Sequence, residues 1–464
     1  MRQHLRFFLF VTLLGIALRL LAIFCFPGVT TDSFIYGDIA KNWLRHGIYG
    51  LTGSDAISAT YIRLPGYPAF LAAVFAVSGV DHYRSVLFTQ VFVDIGTCFL
   101  IADIARRLIS EQAARVALLL AALCPFLAQY VAAALTESLE IFFTSLALDL
   151  ALIAFDRPLL RLWFTCGLAI GAAVLLRPDG GLLLIAIAGY VLVIGLTNQV
   201  SGDHRLKQGL LAACILTVVA LAPLIPWTRR NLHVFHRFQP LAPRYANEEN
   251  EFVPMGFNRW VKTWIADYSS VEEIYWAVPG SRVDAAKLPS RAFDSEAERE
   301  RTFAVLTEYN KLLHISPRLD AQFESLAQER ITHAPLRYYL WLPALRIADM
   351  WLRPRTATLP CDTRWWEFND DPQWSVLAIS LAVVNLAYVL AALYGSWRVD
   401  HLQYAGLLLT FVVLRSLFLG TLENPEPRYT LECYPVVIVL ASAVFVGAIS
   451  SPSVALAEAE TILP

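Results

Sequence analysis

Charge is what this 464-residue sequence has least of: Asp, Glu, Lys and Arg make up 16% of it against 57% hydrophobic residues, with a mean hydropathy of +0.52. So few charges cannot clothe a water-soluble chain of this size, and the composition is that of a polytopic membrane protein. The net charge of −2 and pI near 6.5 leave no clustered basic excess to neutralise phosphates, which excludes nucleic acid as a partner. Cysteine has no C-x-x-C spacing. Cys25, Cys98, Cys124, Cys166 and Cys214 lie in apolar runs and read as small core residues, while Cys361 and Cys433 lie in polar surroundings with their pairing left open. HExxH and a Gly-rich phosphate loop are both missing, as are internal repeats and low-complexity tracts.

What is present is a series of apolar runs near the roughly 20 residues that a helix needs to cross about 30 Å of hydrocarbon. Ten qualify: 7–26, 85–108, 113–134, 138–155, 159–176, 180–196, 208–227, 374–394, 403–419 and 431–449. Arginine and lysine collect at alternate connections: Arg2 and Arg6; Arg106, Arg107 and Arg115; Arg157 and Arg161; Arg205 and Lys207. Those ends are expected in the cytoplasm. No small-x-small cleavage site follows the first run, and Phe24 precedes Cys25 where a lipobox needs Gly or Ala, so this run is expected to remain as a span. The expected organisation is a core over 1–227 with a first outer loop at 27–84, an outer lobe over 228–373, C-terminal spans over 374–450 and a cytoplasmic tail over 451–464.

In the first outer loop, Ile35, Tyr36, Ile39, Ala40, Trp43 and Leu44 recur at spacings of three and four, which predicts an amphipathic helix closed by Gly47. A second short helix is expected over 65–77, with Pro65 and Pro68 in its first turn and Gly79 beyond its end. Asp32 precedes the first of these helices, where an aspartate is a favoured N-cap. Farther on, Ser295 and Glu298 have capping-box spacing ahead of a helical pattern reaching Leu313. The aromatic and basic stretch 335–351 reads either as a helix in the headgroup zone or as an eleventh span.

The order TDSFIYGDIAKNWLRHGIYG, RLPGYPAFLA, TES, LLRPDGG, PWTRRN and PEPRYTLECYPVVIVLA resembles the integral-membrane glycosyltransferases of the GT-C fold. More narrowly it is similar to the protein-mannosyltransferase-related group that includes lipid A aminoarabinose and galacturonic acid transferases. The likeness covers the first seven runs and returns at the last outer turn. It implies an all-α bundle of about ten spans in a bacterial inner membrane, acting on cell-envelope glycans such as lipopolysaccharide from the outer face. It implies that Asp32 is catalytic and that Tyr36, Asp38, Tyr67, Glu137, Arg230 and Asn231 contact substrate. Arg63, Arg177, Arg428 and Tyr429 are then the donor-phosphate ligands. Ser33 departs from the Asp-Glu pair common in the family, leaving Asp38 or Glu137 as the second carboxylate.

The chemistry fits these residue types. Outside the cytoplasm a sugar donor is expected on a polyprenyl phosphate, and an arginine fork suits a departing phosphate. Span-end arginines also snorkel to headgroups, which is the plainer reading of any single one, Arg229 included. Asp32 would take the acceptor hydroxyl's proton in an inverting displacement, the acceptor being a lipid, glycan or protein. Asp103 and Asp149 read as structural partners of residues such as Arg106. His233 and His236 are too few for zinc, so neither metal nor another cofactor is expected. A lipid transporter or flippase would show inverted repeats and broken helices. A non-catalytic assembly subunit could keep every span and have no need of Asp32.

Overall fold

The computed structural model describes residues 4–197, 203–369, 371–399 and 402–447; the expected tail 451–464, the end of the last apolar run and Arg2 lie outside them. The chain forms two compact units. The first draws on Met1–Glu248, Ala387–Val412 and the chain from Leu431 onward, the second on Glu249–Leu386 and Val413–Thr430.

Among the described residues each of the ten apolar runs is mostly helical. The elements are α1 (Leu5–Cys25), α2 (Thr31–His46), β1 (Gly50–Thr52), β2 (Ile57–Ala59), α3 (Gly66–Ser78), α4 (Tyr83–Leu108), α5 (Glu111–Leu123), α6 (Pro125–Val131), α7 (Glu137–Asp156), α8 (Leu160–Leu176), α9 (Gly181–Thr197), α10 (Asp203–Leu221) and α11 (Leu224–Phe235), then α12 (Met255–Lys262), α13 (Tyr268–Ser270), α14 (Glu296–Leu312), α15 (Pro317–His333), α16 (Leu342–Leu352), α17 (Pro372–Val399), α18 (Ala405–Gly420) and α19 (Tyr434–Ser442). Among the described residues seven helical segments are individually long and apolar enough to cross a membrane, and an eighth is the bent pair α5–α6. The other two runs are α8 and α18, of 17 and 16 residues.

The first unit is all-α as expected, with one short antiparallel hairpin in which β1 and β2 pair, Gly50 opposite Ala59. One expectation needs correction: the run 113–134 is not one straight span, because α5 and α6 meet at a 51° bend. Pro125 causes it: a continuous helix would satisfy the Ala121 carbonyl with the amide of residue 125, and proline has none.

The Cys124 amide takes over that carbonyl at 3.3 Å, and Arg19 of α1 adds its guanidinium at the break. Its Nη2 donates to Ala121 O at 3.0 Å, Nη1 donates to Ala122 O, and Nε pairs with Asp94 Oδ2 of α4 at 2.7 Å. Arg19 is 0% and Asp94 2% exposed. A lone charge at the bilayer centre costs about 2.5–3.5 kcal/mol on insertion scales, so each ion makes the other tolerable. Nearer the opposite end of α4, Asp103 pairs with Arg106 and Arg107, and Arg107 reaches Asp149 of α7 at 3.2 Å, the structural role expected of both aspartates.

The second unit is helical around a core of Phe257, Trp260, Trp264, Tyr309 and Phe323. Ser295 caps α14 by accepting the Glu298 amide, and the Glu298 carboxylate accepts from Asp294 N and ion-pairs Arg330. The 335–351 stretch is one continuous helix, π-helical at Arg337–Trp341 and α-helical through α16. It carries Arg337, Arg346 and Asp349 and is not among the helices long and apolar enough to cross. Arg355 and Arg415, both buried, hold the turn before α19. Arg355 donates to Pro427 O and to Thr430 Oγ1 at 2.8 Å, and Arg415 donates to Tyr429 O at 3.0 Å. Among the described residues no disulfide forms; Cys433 is buried and Cys361 partly so.

Candidate active site

The site begins at the first turn of α2. Thr30, not Asp32, is the N-cap, and its amide donates to Ser33 Oγ at 3.0 Å. The T-x-x-S pair therefore takes the capping role, which corrects the expected cap. Asp32 is left in the helix's first turn, where aligned peptide dipoles favour a negative charge. Its Oδ1 accepts from Arg63 Nη2 at 3.0 Å, with the side chains 37% and 19% exposed. Asp32 is thus held in place yet open to a reactant.

One turn along α2, Tyr36 lies under Arg63, whose guanidinium carbon is 5.6 Å from the ring centroid. Tyr36 also meets Tyr67 of α3 edge to face at 5.1 Å. Tyr67 Oη donates to Gln90 Oε1 at 2.9 Å, and Gln90 in turn donates to the Val131 and Ala133 carbonyls. Four charged groups act on the Tyr36 phenol: Arg63, Asp32, Arg177 and Glu137. Burial pushes its pKa up to about 12, Asp32 and Glu137 reinforcing and the two arginines opposing. Burial, then Glu137, lift Tyr67 well above the ordinary phenol range. Both hydroxyls therefore stay protonated near neutral pH and serve as donors, not bases.

Arg177 caps the end of α8, with Nε 3.3 Å from Asp179 Oδ1 and 3.7 Å from Glu140 Oε1. Glu432 lies close enough to act on Glu140 as a second carboxylate. Asp179, Glu140 and Glu432 are members of the site that sequence reasoning missed. Asp179 in LLRPDGG and Glu140 in TESLE stood within or beside quoted motifs, whereas nothing local marks Glu432 as their partner.

Other expected ligands are engaged elsewhere. Asp38 accepts from Thr52 N at 2.6 Å and from Thr52 Oγ1 at 2.9 Å, and pairs with Lys41 at 3.0 Å, fixing the hairpin to α2. Arg230 donates to the carbonyls of Thr60 and Tyr49, both at 2.7 Å, and stacks near Tyr49, Trp227 and Phe235. Asn231 donates to Gln239 O at 2.8 Å, and Arg229 is exposed. Arg428 and Tyr429 belong to the second unit. There Arg428 Nε lies 2.6 Å from Glu426 Oε2, its guanidinium covers the Tyr429 ring, and Tyr429 Oη donates to Glu426. His236 ends α11 in the left-handed region at φ 52°. Among the described residues no group of three His, Cys, Asp or Glu side chains gathers as a metal site.

Burial raises the Asp38 pKa, but the Thr52 amide, Lys41 and the Thr52 hydroxyl outweigh it and hold the carboxyl below its ordinary range. Its stabilisation is therefore complete above about pH 4 and is lost as pH falls through the depressed value. Asp38→Ala is expected to cost about 1–3 kcal/mol by leaving the Thr52 amide without its acceptor. Thermal unfolding at pH 7 and pH 3 checks this, with the variant's deficit shrinking at the lower pH.

Residues 63–227 match the family model described as dolichyl-phosphate-mannose-protein mannosyltransferase. The match opens on Arg63 and ends on Trp227, so Arg177, Glu137 and Tyr67 fall inside it and Asp32 before it. No curated protein matches by sequence. The structure is similar to that of the archaeal oligosaccharyltransferase AglB from Archaeoglobus fulgidus in complex with an inhibitory peptide and a dolichol-phosphate. The TM-score is 0.51 at 15% identity, over 99% of this chain and 54% of that one. The same oligosaccharyltransferase tethered with an acceptor peptide gives 0.52 at 14% identity, over 95% and 49%. This chain spans about half the length of those proteins. ArnT from Cupriavidus metallidurans bound to undecaprenyl phosphate gives 0.41 at 14% identity, over 94% and 77%. The chain is a helical, multi-pass membrane protein with the GT-C glycosyltransferase fold, and its residues 63–227 carry the match to the mannosyltransferase family.

Proposed function

We propose that the protein transfers a sugar from a polyprenyl-phosphate donor to a lipid, glycan or protein acceptor at the extracytoplasmic face of the membrane. The observation that carries this reading is the partly exposed Asp32–Arg63 pair at the head of α2, with Tyr36, Arg177 and Glu137 around it. The family match and the dolichol-phosphate in the complex of the archaeal oligosaccharyltransferase support a lipid-phosphate donor.

Arg63 and Arg177 bind the donor phosphate, each exchanging a carboxylate partner for it. That exchange frees Asp32 to face the acceptor hydroxyl. Asp32 takes the hydroxyl proton as the acceptor oxygen bonds to the anomeric carbon from the side opposite the phosphate. The anomeric carbon–oxygen bond breaks, its electron pair leaves with the polyprenyl phosphate, and the sugar inverts. The protonated Tyr36 hydroxyl is a ready donor to sugar or phosphate oxygen. A carrier has one feature in its favour, the broken α5–α6 span, but the Ala121 and Ala122 carbonyls at the break are already bonded to Arg19.

The test supplies purified protein in lipid nanodiscs with a panel of polyprenyl-phosphate sugars and acceptors and measures released polyprenyl phosphate. At least one donor is expected to turn over. Arg63→Ala should raise that donor's KM about tenfold or more, as lost hydrogen bonds to a charged group imply. Movement of the intact sugar lipid across proteoliposome bilayers with no bond cleavage would replace this reading with transport.

A further inference from the structure

Far along α8 from Arg177, an apolar cavity of about 450 Å³ opens between α8 and α10, lined by Leu160, Arg161, Phe164, Cys214, Ile215, Val218 and Val219. With α9 returning between them, α8 and α10 run in the same direction. They pack tightly where glycine allows it: a Cβ on Gly167 would lie 2.9 Å from Val219 Cβ, and one on Gly171 3.1 Å from Pro223. Toward the start of α8 the packing gives way to the cavity. Leu160, Phe164 and Val218 at its edge are each about half exposed, as lipid-facing residues are.

The cavity's one charged lining group is Arg161, in the first turn of α8. Arg157 precedes the helix, and Lys207 lies in the first turns of α10, all three exposed. The glycine contacts fix the register, placing Lys207 about 9 Å beyond Arg161 toward the membrane surface at 1.5 Å per residue. Three cations thus occupy a headgroup-deep layer over an apolar slot, with the exposed carboxylate of Asp156 next to Arg157 in the chain. Among the described residues no carboxylate pairs with Arg157, Arg161 or Lys207.

We propose that this slot is a binding site for an anionic glycerophospholipid, one acyl chain between α8 and α10 and the phosphate on Arg161. Basic pockets between spans at the cytoplasmic surface select anionic headgroups, because the guanidinium bonds the phosphate while apolar walls cover the chain. The positive-inside pattern assigns this end of the bundle to the cytoplasm. A polyprenyl-phosphate donor is not the expected occupant. Sixteen residues of helix, about 24 Å, separate Arg161 from the Arg177 that would hold its phosphate.

Native mass spectrometry of the protein extracted from phosphatidylcholine nanodiscs doped with phosphatidylglycerol or with undecaprenyl phosphate reads the occupant directly. Wild type is expected to retain one phosphatidylglycerol in preference to phosphatidylcholine. Arg161→Gln should reduce that retention at least fivefold, and Val218→Trp, which fills the slot from a lipid-facing position, should remove it. A thermal-shift increment given by phosphatidylglycerol and absent from Val218→Trp would accompany it, with size exclusion showing the variant folded. Equal retention of both phospholipids by wild type would reduce the slot to ordinary annular contact. Undecaprenyl phosphate as the species lost on Val218→Trp would hand it to an isoprenoid. Either result overturns the proposal, and neither depends on whether sugar transfer occurs.

Discussion

Asp32→Asn is expected to reduce turnover of a competent polyprenyl-phosphate sugar by about 10²–10⁴-fold, the usual contribution of a positioned general base. The amide keeps the shape of the side chain and can still accept from Arg63, so the first turn of α2 is undisturbed. What it loses is the ability to take a proton. Donor KM should change little, since phosphate is held by arginines, and the loss should fall on kcat. If Asp32 serves only to orient the hydroxyl, the asparagine would retain most of the rate, because it still accepts a hydrogen bond. Steady-state release of polyprenyl phosphate by the two proteins at saturating donor separates these roles.

Arg19→Leu is expected to be the most destabilising single change in the first unit. It strands Asp94, which is 2% exposed, and removes a donor to Ala121 O at the α5–α6 break. Removing one partner of a buried pair costs about 3–5 kcal/mol. The double variant Arg19→Leu with Asp94→Leu should recover part of the loss but not all of it, because the Ala121 and Ala122 carbonyls at the α5–α6 break still lose their arginine donor. Reversible unfolding in bilayers or micelles, read on the two variants side by side, checks both statements. A double variant no better than the single one would mean that Arg19 acts through the carbonyls alone.

Length and hydropathy are local properties, and so every apolar run was legible as a helix. The amphipathic α2 and its Gly47 terminus were legible for the same reason: the spacing of Ile35, Ile39 and Ala40 and the left-handed glycine at φ 69° are written within twenty residues. Asp32 was misread as a cap because two hydroxyl residues on either side of it compete for the same amides, and the pair won. Arg19 and Asp94 stand 75 positions apart, so no window of sequence joins them. Arginine's versatility blurred the site. Arg63 meets Asp32, but Arg230, equally basic and equally close to a span end, bonds two loop carbonyls. The hairpin strands are three residues each, too short for an alternating pattern to register.

The second unit closes on a turn that the ribosome makes late. Arg355 leaves the tunnel about seventy residues before Pro427 and Thr430, so during synthesis its guanidinium has no turn to hold. A polypeptide stalled or clipped in α18 would therefore carry an inner cation that can donate to Asn385 of α17 while its two acceptors in the turn are unmade. Quality-control proteases are expected to act on such nascent chains more readily than on the finished protein.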